Sequence, residues 1–263
     1  GARYHKTITA MREYVTIVRR ILAGECVTLE GEIFRVKNFQ LNLPPADPPI
    51  PIYLAAIGPK MIQLAGEVAD GMLGFFYSIP YLKNVVLPNL HAGAKRSGRS
   101  LEKFDLGVGM PALVTKDDRG LEQVKGTVLM FATARGSSAF FSESISQAGF
   151  AAQGEEIQER VARKDMKGAL QVVSDEMAAA LTLAGSEQRV LERVRAYREA
   201  GANSVVLNPF PPDTYFPLFQ GHFPEGAECP PFSFPAFLEA INSAIEFVGS
   251  AAEAPPRPYL PGS

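Results

Sequence analysis

Hydrophobic residues at the start of the chain recur at steps of three and four over residues 7–22, and the pattern stops before Gly24. This spacing predicts an amphipathic helix, because residues three and four apart share one helical face. Residues 26–36 form two short runs of strand-forming residues around a Glu-Gly pair, which predicts a hairpin. A proline-rich stretch at residues 41–49 then predicts an extended linker.

The rest of the chain is organised around an apolar run at residues 50–56, which predicts a strand. Gly58 supplies a turn, and Pro59 fits the first position of a helix, where its missing N–H costs no hydrogen bond. This helix is predicted to end near Gly71, and a second apolar run follows at residues 72–76. A strand, a helix and a strand in this order form a parallel crossover.

Helices and strands continue to alternate after this unit. Four further helices are predicted: one at residues 81–97 with a bend at Pro88, one that follows a cap at Asp117 or Asp118, one at 186–201 and one at 235–248. Two further strands are predicted, at residues 104–115 and at residues 204–207, and the second is expected to be buried. The pattern weakens at residues 133–181, which predicts an insertion of loops and short helices. The alternation predicts an α/β fold with a parallel sheet. With about four strands, the pattern fits an open doubly wound sheet as well as part of an eight-stranded barrel.

Composition excludes several classes of function. The chain has 263 residues, a net charge of −2 and a pI near 6.0, which argues against a nucleic-acid partner. No apolar run approaches the roughly 18 residues of a membrane span, and the first residues do not form a signal peptide, so we expect a cytoplasmic protein without a membrane partner. Two distant cysteines and three isolated histidines lack metal-ligand spacing, so no metal is expected.

The turn at Gly58, Pro59 and Lys60 is the first candidate for chemistry. A strand that ends at a helix amino terminus presents free N–H groups and a positive dipole end, which together favour a phosphate. Lys60 can add a point charge. The alternative is a plain helix start with a solvated lysine, and the residues alone leave both interpretations open.

Two linked blocks in this region resemble the luciferase-like monooxygenase family, and most of all its deazaflavin (coenzyme F420) branch. They read YLAAIGPKM at residues 53–61 and LAGEVADG at residues 64–71. Residues 11–31 are similar to the segment that precedes the fifth strand of that family. Residues 183–186 and 200–202 are similar to its final passage from helix to strand. The resemblance spans roughly residues 7–210.

The resemblance implies an α/β fold of the (β/α)8 TIM-barrel type, here an incomplete carboxyl-terminal portion. The expected single domain covers residues 1–250 with an insertion at about 133–181, and a disordered tail covers residues 251–263. Four strands are expected to precede Gly1, in keeping with the missing initiating methionine. The family's catalytic residues are expected in that part, so the catalytic residues are unknown here. The protein is expected to be an enzyme, although the fragment alone need not be active. Uncovered apolar sheet surface is a further expectation.

The resemblance also implies a cofactor cradle. By motif, the cofactor-binding residues are Ala55, Ala56, Ile57, Gly58, Pro59 and Lys60, with Gly74 and Phe75 at the end of the next strand. The implied cofactor is coenzyme F420, with FMN as the alternative. Aromatic residues at a strand end are often core, and only one of two adjacent phenylalanines can face the barrel mouth. Asn208, which ends the last strand, either contacts a cofactor or shapes the turn.

The implied activity is an oxidoreductase that transfers hydride between coenzyme F420 and a small organic substrate. The alternatives are an FMN-dependent monooxygenase of the same family and a non-catalytic barrel subunit or degenerate fragment. A small-molecule substrate and a homodimer are the implied partners.

Overall fold

The computed structural model describes residues 6–116, 119–134 and 138–209, all within a unit that spans residues 1–215. The first periodic segment forms α1 (Thr7–Leu22), as the spacing predicted. A hairpin of β1 (Val27–Glu30) and β2 (Arg35–Phe39) follows and is antiparallel, which confirms the second prediction. The carboxylate of Glu13 fixes the hairpin turn to α1, because it accepts hydrogen bonds from the amides of residues 32, 33 and 34 at 2.7, 3.0 and 2.9 Å.

The main sheet is parallel and has five described strands. They are β3 (Tyr53–Ala55), β4 (Gly71–Phe75), β5 (Asp105–Thr115), β6 (Leu183–Ser186) and β7 (Ser204–Pro209). β4 pairs with β3 and β5, and β5 also pairs with β6 and β7. The order of the strands in the sheet matches their order in the chain for β3, β4, β5 and β7. A doubly wound sheet would instead show a reversal of strand order. Among the described strands, the arrangement is an open part of a barrel.

The two faces of this sheet differ sharply in burial. On one face Leu54, Met72 and Val108 are buried beneath helices. On the opposite face Tyr53, Leu73 and Val206 remain 47, 42 and 39% exposed. A doubly wound sheet has helices on both faces, so the doubly wound interpretation is wrong. The expected uncovered apolar surface is therefore present over the described strands.

The helices lie as follows. They are α2 (Pro59–Val68), α3 (Ile79–Tyr81), α4 (Leu87–Ser97), α5 (Gly120–Thr133), α6 (Ser138–Ile145), α7 (Ala151–Ala162), α8 (Met166–Val172), α9 (Asp175–Leu181) and α10 (Glu187–Glu199), with π-helical turns at Leu82–Val86 and Ser146–Phe150. The bend predicted at Pro88 is a π-helical turn that ends two residues earlier. Ser186 caps α10, as predicted, by accepting a hydrogen bond from the amide of Arg189. None of the described helices is long and apolar enough to span a membrane.

Several expectations need correction. The strand predicted at residues 50–56 is shorter and begins at Tyr53, because Pro51 cannot donate a ladder hydrogen bond. β6 was not predicted, since its sequence LAGS lacks strand-forming residues. The last strand was predicted to be buried, but Val206 and Leu207 are 39 and 36% exposed. The cap at Asp117 or Asp118, the helix at 235–248 and the tail at 251–263 lie outside the described residues.

The segment from residue 133 to 181 folds as helices α6–α9 with a core of its own. Ile145, Ile157 and Met177 are fully buried in that core, together with Phe76 from the end of β4. The insertion is therefore anchored to the carboxyl end of the sheet, which is the end where barrel enzymes hold their ligands.

Candidate functional site

The site begins where β3 passes into α2. The amide of Ala56 still donates to Leu73 at 3.2 Å, so the sheet ladder extends one residue past β3. Gly58 is the N-cap of α2, and its carbonyl accepts from the amides of residues 61 and 62 at 3.0 Å each. In the described part of the chain, the amides of Gly58 and Lys60 donate to no protein acceptor. These two free N–H groups at a helix start form a site suited to an anion.

Two buried tyrosines fix the backbone of this turn. The hydroxyl of Tyr77 donates to the carbonyl of Ala56, and that of Tyr81 donates to the carbonyl of Ile57 at 3.2 Å. Burial raises the pKa of Tyr81 to about 12 and that of Tyr77 further still. Both hydroxyls therefore stay protonated and act as hydrogen-bond donors at any physiological pH. These carbonyls are therefore occupied, whereas the amides of Gly58 and Lys60 have no partner among the described residues.

The end of β4 brings a second set of residues to the same end of the sheet. A side chain at Gly74 would meet the Tyr77 ring at 1.9 Å, so Gly74 lies against Tyr77 and its missing side chain makes room for that ring. Phe75 points to the opposite face, where its ring lies 2.8 Å from the position of a Cβ at Gly109. The side-chain amide nitrogen (Nδ2) of Asn208 lies 3.0 Å from the same position.

Phe75, Gly109 and Asn208 therefore meet on the exposed face of the sheet, at the carboxyl ends of β4 and β7 and beside the middle of β5. At Gly109 the ring of Phe75 and the side-chain amide of Asn208 occupy the space that a side chain would take, so the two groups lie close together. This pairing suits the edge of a planar heterocycle, which needs an apolar wall and a hydrogen-bonding group. Of the two adjacent phenylalanines, Phe76 is fully buried in the core of the insertion, so only Phe75 is available to such a ligand.

A buried hydrogen-bond lock joins the end of β4 to helix α6. The hydroxyl of Ser144 donates to the carbonyl of Phe76 at 2.9 Å and accepts from the amide of Ser78 at 2.8 Å. The hydroxyl of Ser78 in turn donates to the carbonyl of Ser144 at 2.8 Å. Both serines are at most 1% exposed. The lock holds Phe76 in a left-handed conformation with φ of 58°, which is costly for a residue with a side chain.

The structure brings together some of the predicted residues and separates others. Ala56, Ile57, Gly58 and Pro59 line one turn at the carboxyl end of the sheet. Ala55 lies on the exposed face with Leu73, and its neighbour Ala56 is buried on the helical face. Lys60 is exposed in the first turn of α2. Which of these residues contact a cofactor stays a prediction.

The acidic residues of the block at residues 64–71 have a structural role at the other end of the sheet. Glu67 pairs with Arg12 and, at 3.0 Å, with Arg96. Asp70 pairs with Arg19 at 2.9 Å and accepts the amide hydrogen bond of residue 52 at 2.8 Å, just before β3 begins. These contacts join α1, α2 and α4 and set the start of β3. They lie at the amino-terminal end of the sheet, which in barrel proteins serves stability and not catalysis.

An open cleft of about 850 Å³ lies at the ends of β5 and β6, with Thr115, Lys116 and Ser186 in its lining. Thr115 is six residues beyond Gly109, which corresponds to about 20 Å along a strand. This cleft is therefore separate from the turn at Gly58. Among the described residues, no group of three His, Cys, Asp or Glu side chains is placed to hold a metal ion.

Comparison with known proteins shows the family of this chain. The family profile of the luciferase-like monooxygenases matches residues 1–204. The 5,10-methylenetetrahydromethanopterin reductase of Archaeoglobus fulgidus is 31% identical over 215 residues, which cover 81% of this chain and 64% of that protein. This chain thus spans less than two thirds of that relative's length.

Solved structures show the same fold. The coenzyme F420-dependent tetrahydromethanopterin reductase of Methanopyrus kandleri superposes with a TM-score of 0.65 at 26% identity, over 78% of this chain and 58% of that one. An F420-dependent secondary alcohol dehydrogenase in complex with an F420-acetone adduct, at 19% identity and a TM-score of 0.55, shares the fold over 75% of this chain and 54% of its own. The resemblance of residues 53–71 is confirmed, and the chain belongs to the luciferase-like monooxygenase family.

Proposed function

We propose that this protein is an oxidoreductase that transfers hydride between coenzyme F420 and a small organic substrate. The observation that carries the proposal is the turn at Gly58, where two free amides at a helix start lie at the carboxyl end of a barrel-type sheet. Membership of the luciferase-like family supports it. So does the likeness to an F420-dependent reductase at 26% identity.

The residues present fit a long cofactor with one phosphate and one planar ring system. The amides of Gly58 and Lys60 would hold the phosphate, with the positive end of the α2 dipole behind them. Phe75 and Asn208 would border the ring system on the exposed face of the sheet, beside Gly109. The deazaflavin supplies a ring carbon that accepts or donates hydride.

This chain's own residues orient and shield the site. The Tyr77 and Tyr81 hydroxyls hold the carbonyls of Ala56 and Ile57, so the backbone of the turn stays fixed for a phosphate. The lock at Ser144 fixes the end of β4 and with it the ring of Phe75. Helices α6–α9 cover the neighbouring strand end and exclude water there, which strengthens every electrostatic contact in the site. The insertion also offers the surface from which a substrate pocket is built.

The test is a titration of the purified protein with F420 and with FMN, followed by cofactor fluorescence. We expect micromolar binding of F420, which corresponds to about −8 kcal/mol. Lys60→Glu places a negative charge beside the phosphate and is expected to weaken binding about tenfold. The control Lys83→Glu makes the same charge change on an exposed lysine of the π-helical turn and should leave the Kd unchanged. A folded protein that binds neither cofactor would refute the proposed function.

A further inference from the structure

The ring of Phe140 lies directly over the start of α2. A Cβ at Gly58 would be 2.5 Å from the para carbon of that ring, a distance that real Cβ atoms do not show. Gly58 has φ of −92° and ψ of 156°, which any residue adopts. Glycine at this position therefore makes room for the Phe140 ring, and the backbone conformation does not require it.

Phe140 is not part of the core of the insertion, although its neighbour in sequence is. Phe141 is 5% exposed, with its ring 5.7 Å from that of Phe76 and 5.3 Å from that of Phe131, in edge-on contacts. Phe140 is partly exposed and lies outside that cluster. Helix α6 itself is fixed through Ser144. The helix thus holds the Phe140 ring over Gly58, and rotation of that side chain would clear the space beside the start of α2.

The positive charge available at this turn is modest. The α2 dipole contributes roughly half a charge and Lys60 one charge, so the total is about one and a half. An aromatic ring beside the amides replaces water that would otherwise solvate a bound anion. The cost of removing water rises steeply with the charge that is desolvated. Such a site favours a singly charged phosphate over a doubly charged one.

We propose that Phe140 is a specificity-determining residue, which selects the singly charged phosphodiester of F420 against the phosphomonoester of FMN. This inference rests on the proposed function. A phosphomonoester carries about −1.5 to −2 charges at pH 7, because its second pKa is near 6. The ring must turn aside for either cofactor, but it remains beside the phosphate and penalises the second charge.

The experiment measures the Kd of F420 and of FMN for the wild-type protein, Phe140→Ala and Phe140→Leu, each checked for folding by circular dichroism. Removal of the ring is expected to lower the preference for F420 over FMN about fivefold, mainly through tighter FMN binding. Leucine keeps an apolar cover and is expected to keep the preference within about twofold. Wild-type FMN affinity should also rise between about pH 7.5 and 5.5, as the phosphate takes up a proton, and should rise less in Phe140→Ala.

An unchanged preference in Phe140→Ala, or an equal loss of affinity for both cofactors, would overturn the inference and leave the proposed function intact. A wild-type protein that binds neither cofactor would instead overturn the proposed function and this inference together.

Discussion

Replacing Ser144 with alanine tests how strongly the insertion is anchored to the sheet. The substitution removes a donor to the carbonyl of Phe76 at 2.9 Å and an acceptor for the amide of Ser78 at 2.8 Å. Both serines are at most 1% exposed, so water cannot replace either bond. Each buried group left unpaired costs about 1–3 kcal/mol, so the loss of both partners should lower the free energy of unfolding by about 2–6 kcal/mol.

For a folded region of this size, 1 kcal/mol corresponds to about 2–4 °C in Tm, so the expected decrease is about 4–24 °C. Thermal unfolding followed by circular dichroism measures it. Ser146→Ala is the matched control, because Ser146 lies two residues later, is exposed and has no hydrogen bond among the described residues. Its Tm should change by no more than about 1–2 °C. Equal Tm values for the two variants would refute the reasoning, since the lock would then contribute nothing.

Two further predictions concern packing and pH. Gly93→Ala places a Cβ 1.9 Å from a backbone carbonyl of α2 and should lower the free energy of unfolding, measured by urea denaturation, by more than about 3 kcal/mol. The control Gly126→Ala places a Cβ with no atom within 4 Å and should raise the free energy of unfolding by up to about 1 kcal/mol. Similar values for both variants would contradict the close approach of α2 and α4. Buried tyrosines whose folded pKa is raised stabilise the fold below their unfolded pKa near 10, and this stability is lost as pH rises toward 12. Tyrosinate absorbance should therefore increase together with loss of helical circular dichroism between about pH 10 and 12. The tyrosines concerned are Tyr77, Tyr81 and Tyr197. Ionisation of every tyrosine in a still folded protein would contradict this prediction, because it would show that these three side chains are accessible.

The sequence was sufficient for elements whose signal is local. α1 and α10 follow from hydrophobic spacing and a cap, and the turn at Gly58 and Pro59 follows from a proline that fits the first helical position after an apolar run. β6 could not be found in this way, because its four residues take a strand conformation only through pairing with residues 112–115 of β5. Tertiary pairing decides such a segment, and its own propensity does not.

The sequence predicted only part of the candidate site, for the same reason. Residues 55–60 are contiguous, so a motif identifies them. Phe140 and Ser144 come more than sixty residues later, in a segment whose pattern predicted only loops and short helices, and their role depends on contacts made after folding. Gly74 and Gly109 show the limit clearly, because one accommodates Tyr77 and the other lies between Phe75 and Asn208. The adjacent aromatic pair at residues 140–141 was the one signal that could have drawn attention to α6.

The most direct test of the account is a crystal structure of the protein with F420 bound. The account predicts the phosphate within hydrogen-bonding distance of the amides of Gly58 and Lys60, with the Phe140 ring turned aside and the deazaflavin edge against Phe75 and Asn208. A phosphate bound instead in the cleft beside Lys116 and Ser186, with Phe140 still over Gly58, would contradict it.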